Sequence, residues 1–153
     1  MRPVPRYCHT QFGAVVVGSL AASALGLAGL GLAFGDSLFL YGGPVMMGMV
    51  ALLFHNLTVE IDAPPLRFRF GVGLIRQRIP LAEIVAVKPV HNSWWYGWGI
   101  HRTPHGGLYN ASGWEGVEVA LASGQRLRLG TDEPRRRAQA IQAAREDARL
   151  AAA

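Results

Sequence analysis

From Gly13 to Phe34 the chain runs GAVVVGSLAASALGLAGLGLAF, 22 residues without a charge, and from Ser37 to Phe54 it runs SLFLYGGPVMMGMVALLF, another 18. As helices rising about 1.5 Å per residue, these stretches cover about 33 Å and 27 Å, close to the roughly 30 Å hydrocarbon core of a bilayer. Only Gly35 and Asp36 separate them, so residues 13–55 read as a transmembrane helical hairpin. Composition agrees: 16% of residues are charged, against roughly 25% in ordinary soluble domains.

A secretory signal is the competing reading of the first stretch, because Arg2 and Arg6 form a positive n-region and AASA resembles a cleavage site. The apolar run is longer than the usual h-region, and a second run follows at once, which favours the hairpin. Orientation follows from the flanking arginines. Arg2 and Arg6 precede the first span, the connection carries only Asp36, and Arg67, Arg69, Arg76 and Arg78 follow the second. Both termini are therefore expected in the cytoplasm. Fourteen Arg to one Lys, with abundant Ala and Gly, fits a GC-rich bacterial genome and hence the inner membrane.

Within the spans, Gly31 and Gly35 form a GxxxG, and Ala22 with Gly26 a small-xxx-small pair. Such spacing lets helices approach closely, either inside the hairpin or between two copies in a homo-oligomer. Neither span holds an ionisable residue, so the usual marker of an ion or proton pathway is lacking. The single Cys8 permits no intrachain disulfide.

After His55 the pattern changes. LTVEID (57–62), LRFRF (66–70) and LIRQRI (74–79) alternate apolar and polar residues, with turns at Ala63-Pro64-Pro65 and Gly71-Val72-Gly73. IVAVKPV (84–90), a short strand over 99–102, GVEVALA (116–122) and QRLRLG (125–130) complete six or seven antiparallel strands. Residues 132–150 read as a helix: Thr131 or Asp132 can cap it, and Pro134 is tolerated in the first turn. Pro134, Ala138, Ile141, Ala144 and Ala148 recur on one face.

The stretch from Leu57 to Ile141, with FGVGLIRQRIPLAEIVAV, WGIHR and GVEVALASGQRLRLGTDEP, resembles the bacterial pleckstrin-homology-like (PH-like) domains carried behind two N-terminal transmembrane helices. That resemblance implies an α+β membrane protein whose PH-like antiparallel barrel is capped by the C-terminal helix. Residues 1–12 become a cytoplasmic tail, 13–55 the hairpin and 56–153 the PH-like domain. It implies no catalytic residue.

The residues themselves point the same way on chemistry. His101 and His105 are four apart, and His91 is a third metal candidate, but Pro104 and the nearby glycines oppose the helix that would align two ligands. No serine sits in a GxSxG elbow, and Gly71-Val72-Gly73 lacks the third glycine of a nucleotide loop. Glu115 and Glu118 fall on opposite faces of a strand. No enzyme activity and no cofactor are expected.

Two interaction surfaces remain. Removing Arg2, Arg6 and Asp36 from the 15 basic and 10 acidic residues leaves 13 against nine beyond His55. Arg67, Arg69, Arg76 and Arg78, with Arg126 and Arg128, occupy alternate strand positions, read as solvated faces or as candidates for anionic lipid headgroups. Nucleic acid is not expected, because no aromatic-basic stacking pattern accompanies them. The stretch WWYGWGIHRTPHGGLYN holds three of the four Trp. Trp98 is assigned to barrel packing, whereas Trp94, Trp95 and Tyr96 are adjacent and cannot all point inward. They are candidates for contact with the bilayer interface or with a partner. The expected function is a binding or scaffolding module at the cytoplasmic membrane face; the alternative is an accessory subunit of a larger membrane enzyme or transporter complex.

Overall fold

The computed structural model describes residues 7–61, 65–104 and 106–152, so Arg2, Arg6, His105 and most of the turn expected at Ala63-Pro64-Pro65 lie outside it. The fold is α+β, with nine strands in two sheets and three α-helices among the described residues. Strand β1 (Tyr7–Phe12) leads directly into helix α1 (Ala14–Phe34). A π-helical turn (Leu38–Gly42) then continues into α2 (Gly43–Phe54).

The hairpin turn is built by two residues. Gly35 adopts the left-handed conformation (φ 68°) and ends α1 with its N–H on the Gly31 carbonyl, a conformation open to glycine at little steric cost. Asp36 then accepts a hydrogen bond from the Leu38 N–H at 2.8 Å, starting the next helical segment. At the other end, the Gly13 N–H donates to the His55 carbonyl at 2.7 Å, so the two helices run antiparallel and share one root. Of the GxxxG pair, Gly31 packs inside the hairpin, where a Cβ would overlap the backbone of Leu40, whereas Gly35 meets nothing; outside the motif, a Cβ on Gly43 would press on Leu27.

Helix α1 is long and apolar enough to cross a membrane. Only Gly31 is buried in it, and Leu25, Leu30, Leu32 and Phe34 are exposed. The second apolar segment, Leu38–Phe54, is shorter, so two full spans are not established by length.

Strands β2 (Asn56–Ile61), β3 (Leu66–Phe70) and β4 (Ile75–Ile79) form an antiparallel meander, and β1 pairs with β2 to give the order β1-β2-β3-β4. Residues 7–12, expected as a tail, thus supply an edge strand. The second sheet, β5-β8-β9-β7-β6, contains β5 (Ile84–His91), β6 (Gly99–Thr103), β7 (Gly106–Asn110), β8 (Glu115–Leu121) and β9 (Arg126–Gly130). Period-two alternation decides the faces. Leu57, Val59 and Ile61 of β2, Leu66, Phe68 and Phe70 of β3, and Val117, Val119, Leu127 and Leu129 of β8 and β9 all enter one core.

The single barrel of six to seven strands expected from the sequence is not present: the strands form two separate sheets and no closed ring. In the second sheet β7 pairs in parallel with β9 and β6 stands at the edge, while β4 ends the other sheet. Tyr109 bridges the gap edge-on to Phe68, with ring centroids 4.8 Å apart.

Helix α3 (Pro134–Ala152) covers the core with Ala138, Ile141 and Ala144. Burying Ile141 fully stabilises by roughly 1.5–3 kcal/mol, so this one side chain contributes much of the docking. Thr131, one of the two expected caps, instead closes a turn just ahead of the helix, its Oγ1 accepting from the Glu133 N–H at 3.0 Å, while the Glu133 carbonyl accepts the first helical bond from Arg137. On the opposite flank, Gln142 and Arg145 donate to the Val87 and Val85 carbonyls and so occupy the edge of β5.

Candidate functional site

Strand directions bring three loops to the end from which the helices leave. Gly13 lies against the carbonyl oxygens of Phe54, His55 and Ala111, which places the β7–β8 turn beside the helix root. Gly71 lies against the Leu52 and Leu53 carbonyls and donates its N–H to Asn56 at 2.9 Å, which fixes the β3–β4 turn there too. The Asn92 N–H donates to the Trp114 carbonyl at 2.6 Å, so the Trp-rich connection between β5 and β6 starts from the same end.

These tips are apolar. Val72 and Leu74 are 61% and 76% exposed, and Trp94 and Trp95, in a short 3-10 turn ending at Tyr96, are 63% and 76% exposed. The two indoles stack on each other with centroids 3.8 Å and planes 25° apart, forming one aromatic block. Tyr96 is half-buried. Trp98 is not in the core: it is half-buried, lies 4.8 Å from the Trp114 ring and donates its indole N–H to the Gly113 carbonyl at 3.2 Å.

The four expected arginines share one face. Arg67 stands opposite Arg78, and Arg69 opposite Arg76, across the β3–β4 pair. Like charges directly opposite destabilise a sheet. Among the described residues only Arg69 has a carboxylate partner, Glu60 at 3.5 Å, and the Nε of half-buried Arg67 is buried without a partner.

Arg128, read as solvated, is buried. It donates Nε to Glu118 Oε2 at 2.9 Å and Nη1 to Asn92 at 3.3 Å, while Lys88 Nζ lies 3.3 Å and Arg126 3.7 Å from Glu118 Oε1. Lys88, Glu118 and Arg128 stand in register across β5, β8 and β9. Burial of Glu118, 3% exposed, raises its carboxyl, but hydrogen bonds and charge from Arg128 and Lys88 outweigh this and hold it below the ordinary 4.5. Both oxygens of this carboxylate lie beside cationic nitrogens, which favour its ionised form. Alternation alone could not reveal it, because the outer face of a strand reads as solvent.

The histidines do not converge. His91 pairs with Glu115 at 2.8 Å, and His101 hydrogen-bonds the Trp98 carbonyl at 2.6 Å, on different strands. His105 lies outside the described residues, and no group of three potential ligands occurs among the described ones.

Two further polar contacts tie β1 to α3. His9 reaches Asp132 at 2.5 Å and Glu133 at 3.5 Å. Arg137 is fully buried, donating to the Gly130 carbonyl at 2.7 Å and the Tyr7 hydroxyl at 3.4 Å, with Nη2 unpartnered. An open groove of about 750 Å³ lies between β4 and the β6–β7 hairpin, with Gln77, Arg102, Tyr109 and Arg126 in its wall. In comparisons with family models, curated proteins and solved structures, nothing matches this chain.

Proposed function

We propose that the chain is a membrane-tethered binding or scaffolding module without catalytic activity, an open two-sheet relative of the PH-like domains held on the cytoplasmic face of the bacterial inner membrane. One observation carries this reading: the helix root, the β3–β4 turn with Val72 and Leu74, and the Trp94–Trp95 stack all occupy one end of the sheets. A helix with apolar side chains on every face and a single buried residue has no protein core to enter, and a bilayer is the solvent that suits it. The second helical segment, Leu38 to Phe54, spans about 25 Å, a shortfall that local thinning of the bilayer absorbs at modest cost. Aromatic rings with a polar N–H favour the headgroup level, where this end would rest. Ala22 and the open face at Gly26 suit contact with a second copy.

The accessory-subunit reading is favoured by a different observation, the free edges of β4 and β6 flanking the open groove. An unpaired strand edge offers a template for a partner strand. Stoichiometric co-purification of one membrane complex from mild detergent selects that reading.

Topology is tested by reporter fusions after Ala153. Activity only in the cytoplasmic format is expected. A periplasmically active fusion would remove the orientation and the lipid-facing role together.

A further inference from the structure

We infer that the β3–β4 hairpin is a binding surface for anionic phospholipid, with Val72 and Leu74 entering the acyl boundary and Arg67, Arg69, Arg76 and Arg78 holding the phosphates; this rests on the membrane anchoring proposed above. The position of the hairpin is set by backbone, since Gly71 packs on the Leu52 and Leu53 carbonyls at the end of α2. If α2 ends at the hydrocarbon boundary, the turn after β3 lies at that boundary too. The Arg69–Arg76 pair is then the first above it, and Arg67–Arg78 the next, two residues or about 7 Å further along the strands. That is the depth of the headgroups.

Charge supplies the second argument. Among the described residues, two guanidinium pairs face each other across β3 and β4 with one carboxylate beside them, Glu60, which stands opposite Arg67 in the β2–β3 register and 3.5 Å from Arg69. Such a face is self-repelling unless anions cover it, and guanidinium groups bind phosphate oxygens through paired N–H donors. Arg69, Arg76 and Arg78 are exposed, so their guanidinium groups are open to such contacts. The apolar tip adds a source of selectivity for a surface over a free ion. Exposed Val72 and Leu74 gain nothing from a phosphate in water but lose their hydration in a bilayer.

The test uses the full chain reconstituted in vesicles of 70% phosphatidylcholine and 30% phosphatidylglycerol, extracted in mild detergent, with bound lipid quantified by mass spectrometry. Wild type is expected to retain phosphatidylglycerol enriched several-fold over the vesicle ratio. Arg76→Gln with Arg78→Gln, both exposed and, among the described residues, without a carboxylate partner, should lower its affinity by about 25-fold, at roughly fivefold per arginine near the surface. Val72→Ser with Leu74→Ser should weaken retention while leaving all four charges. Arg102→Gln with Arg149→Gln, the same charge change elsewhere, should leave retention unchanged. Retention at the vesicle ratio in wild type, or equal loss in the Arg102/Arg149 control, overturns the assignment. A nitroxide at Leu25→Cys in a Cys8→Ser background, on α1, reports anchoring separately. Bilayer exposure there with no lipid selectivity removes only the headgroup site; water exposure there removes the anchor and the site with it.

Discussion

Gly71 of the β3–β4 turn packs its backbone against the carbonyl oxygens of Leu52 and Leu53, so closely that any Cβ there would overlap both. Its φ is 47°. The root of the helices and the tip of the sheet are thereby one rigid joint.

Alanine at this joint is predicted to be costly for two separable reasons. Gly73, with φ 87°, shares the left-handed backbone, but a Cβ there meets only the flexible Arg69 side chain at 3.9 Å. Gly73→Ala should therefore lose roughly 1–2 kcal/mol for the conformation alone. Gly71→Ala should lose clearly more, since backbone must move. Thermal unfolding of both variants in detergent checks this, and equal losses contradict the joint.

Arg137 is fully buried with one hydrogen bond to a carbonyl, one to a hydroxyl and no paired carboxylate. Burial lowers its basicity, opposed by Tyr7 and by the more distant charges of Asp132 and Glu133. Arg137→Ala should destabilise by about 3 kcal/mol through the cavity and lost hydrogen bonds. Arg137→Met fills the space without a buried charge and should come within about 1 kcal/mol of wild type. Denaturant midpoints measure both, and a Met variant as weak as the Ala variant would show that the guanidinium itself is required.

Glu118 links stability to pH. Its folded carboxyl lies below the ordinary 4.5, so its contribution is complete above that value and is lost as pH falls through the lower folded value. Glu118→Gln leaves Arg128 buried without its counter-charge and should cost about 3 kcal/mol at pH 7. The gap between variant and wild type should narrow as pH falls below the ordinary 4.5 toward the lower folded value. A gap independent of pH would place the stabilisation elsewhere.

Much of this was legible in the sequence where one face of an element is apolar. The inward residues Leu57, Val59, Ile61, Phe68 and Phe70, and the α3 stripe of Ala138, Ile141 and Ala144, follow from period alone. Strand β1 was not, because Tyr7 and Gln11 face inward but the chain between them is polar and short. Strand β7 hid behind Gly106 and Gly107, whose missing side chains permit a close parallel approach to β9: a Cβ on Gly106 would overlap the Arg126 carbonyl. That parallel pairing places β6 at the sheet edge, and no local pattern announces it. For the candidate surface, alternation put the four arginines on one face, but their opposition in pairs depends on register. The Trp94–Trp95 stack and the buried Glu118–Arg128 pair are tertiary facts of the same kind.

The central claim, that the end bearing Trp94 and Trp95 rests on the bilayer, is tested most directly by depth-dependent quenching. Single-Trp variants retaining either Trp95 or Trp114, with Phe at the other three positions, are placed in nanodiscs containing brominated lipids. Trp95, 76% exposed, should be quenched strongly and Trp114, half-buried beside Trp98, much less. Equal quenching of the two, or none at Trp95, would contradict the account and return this loop to protein packing.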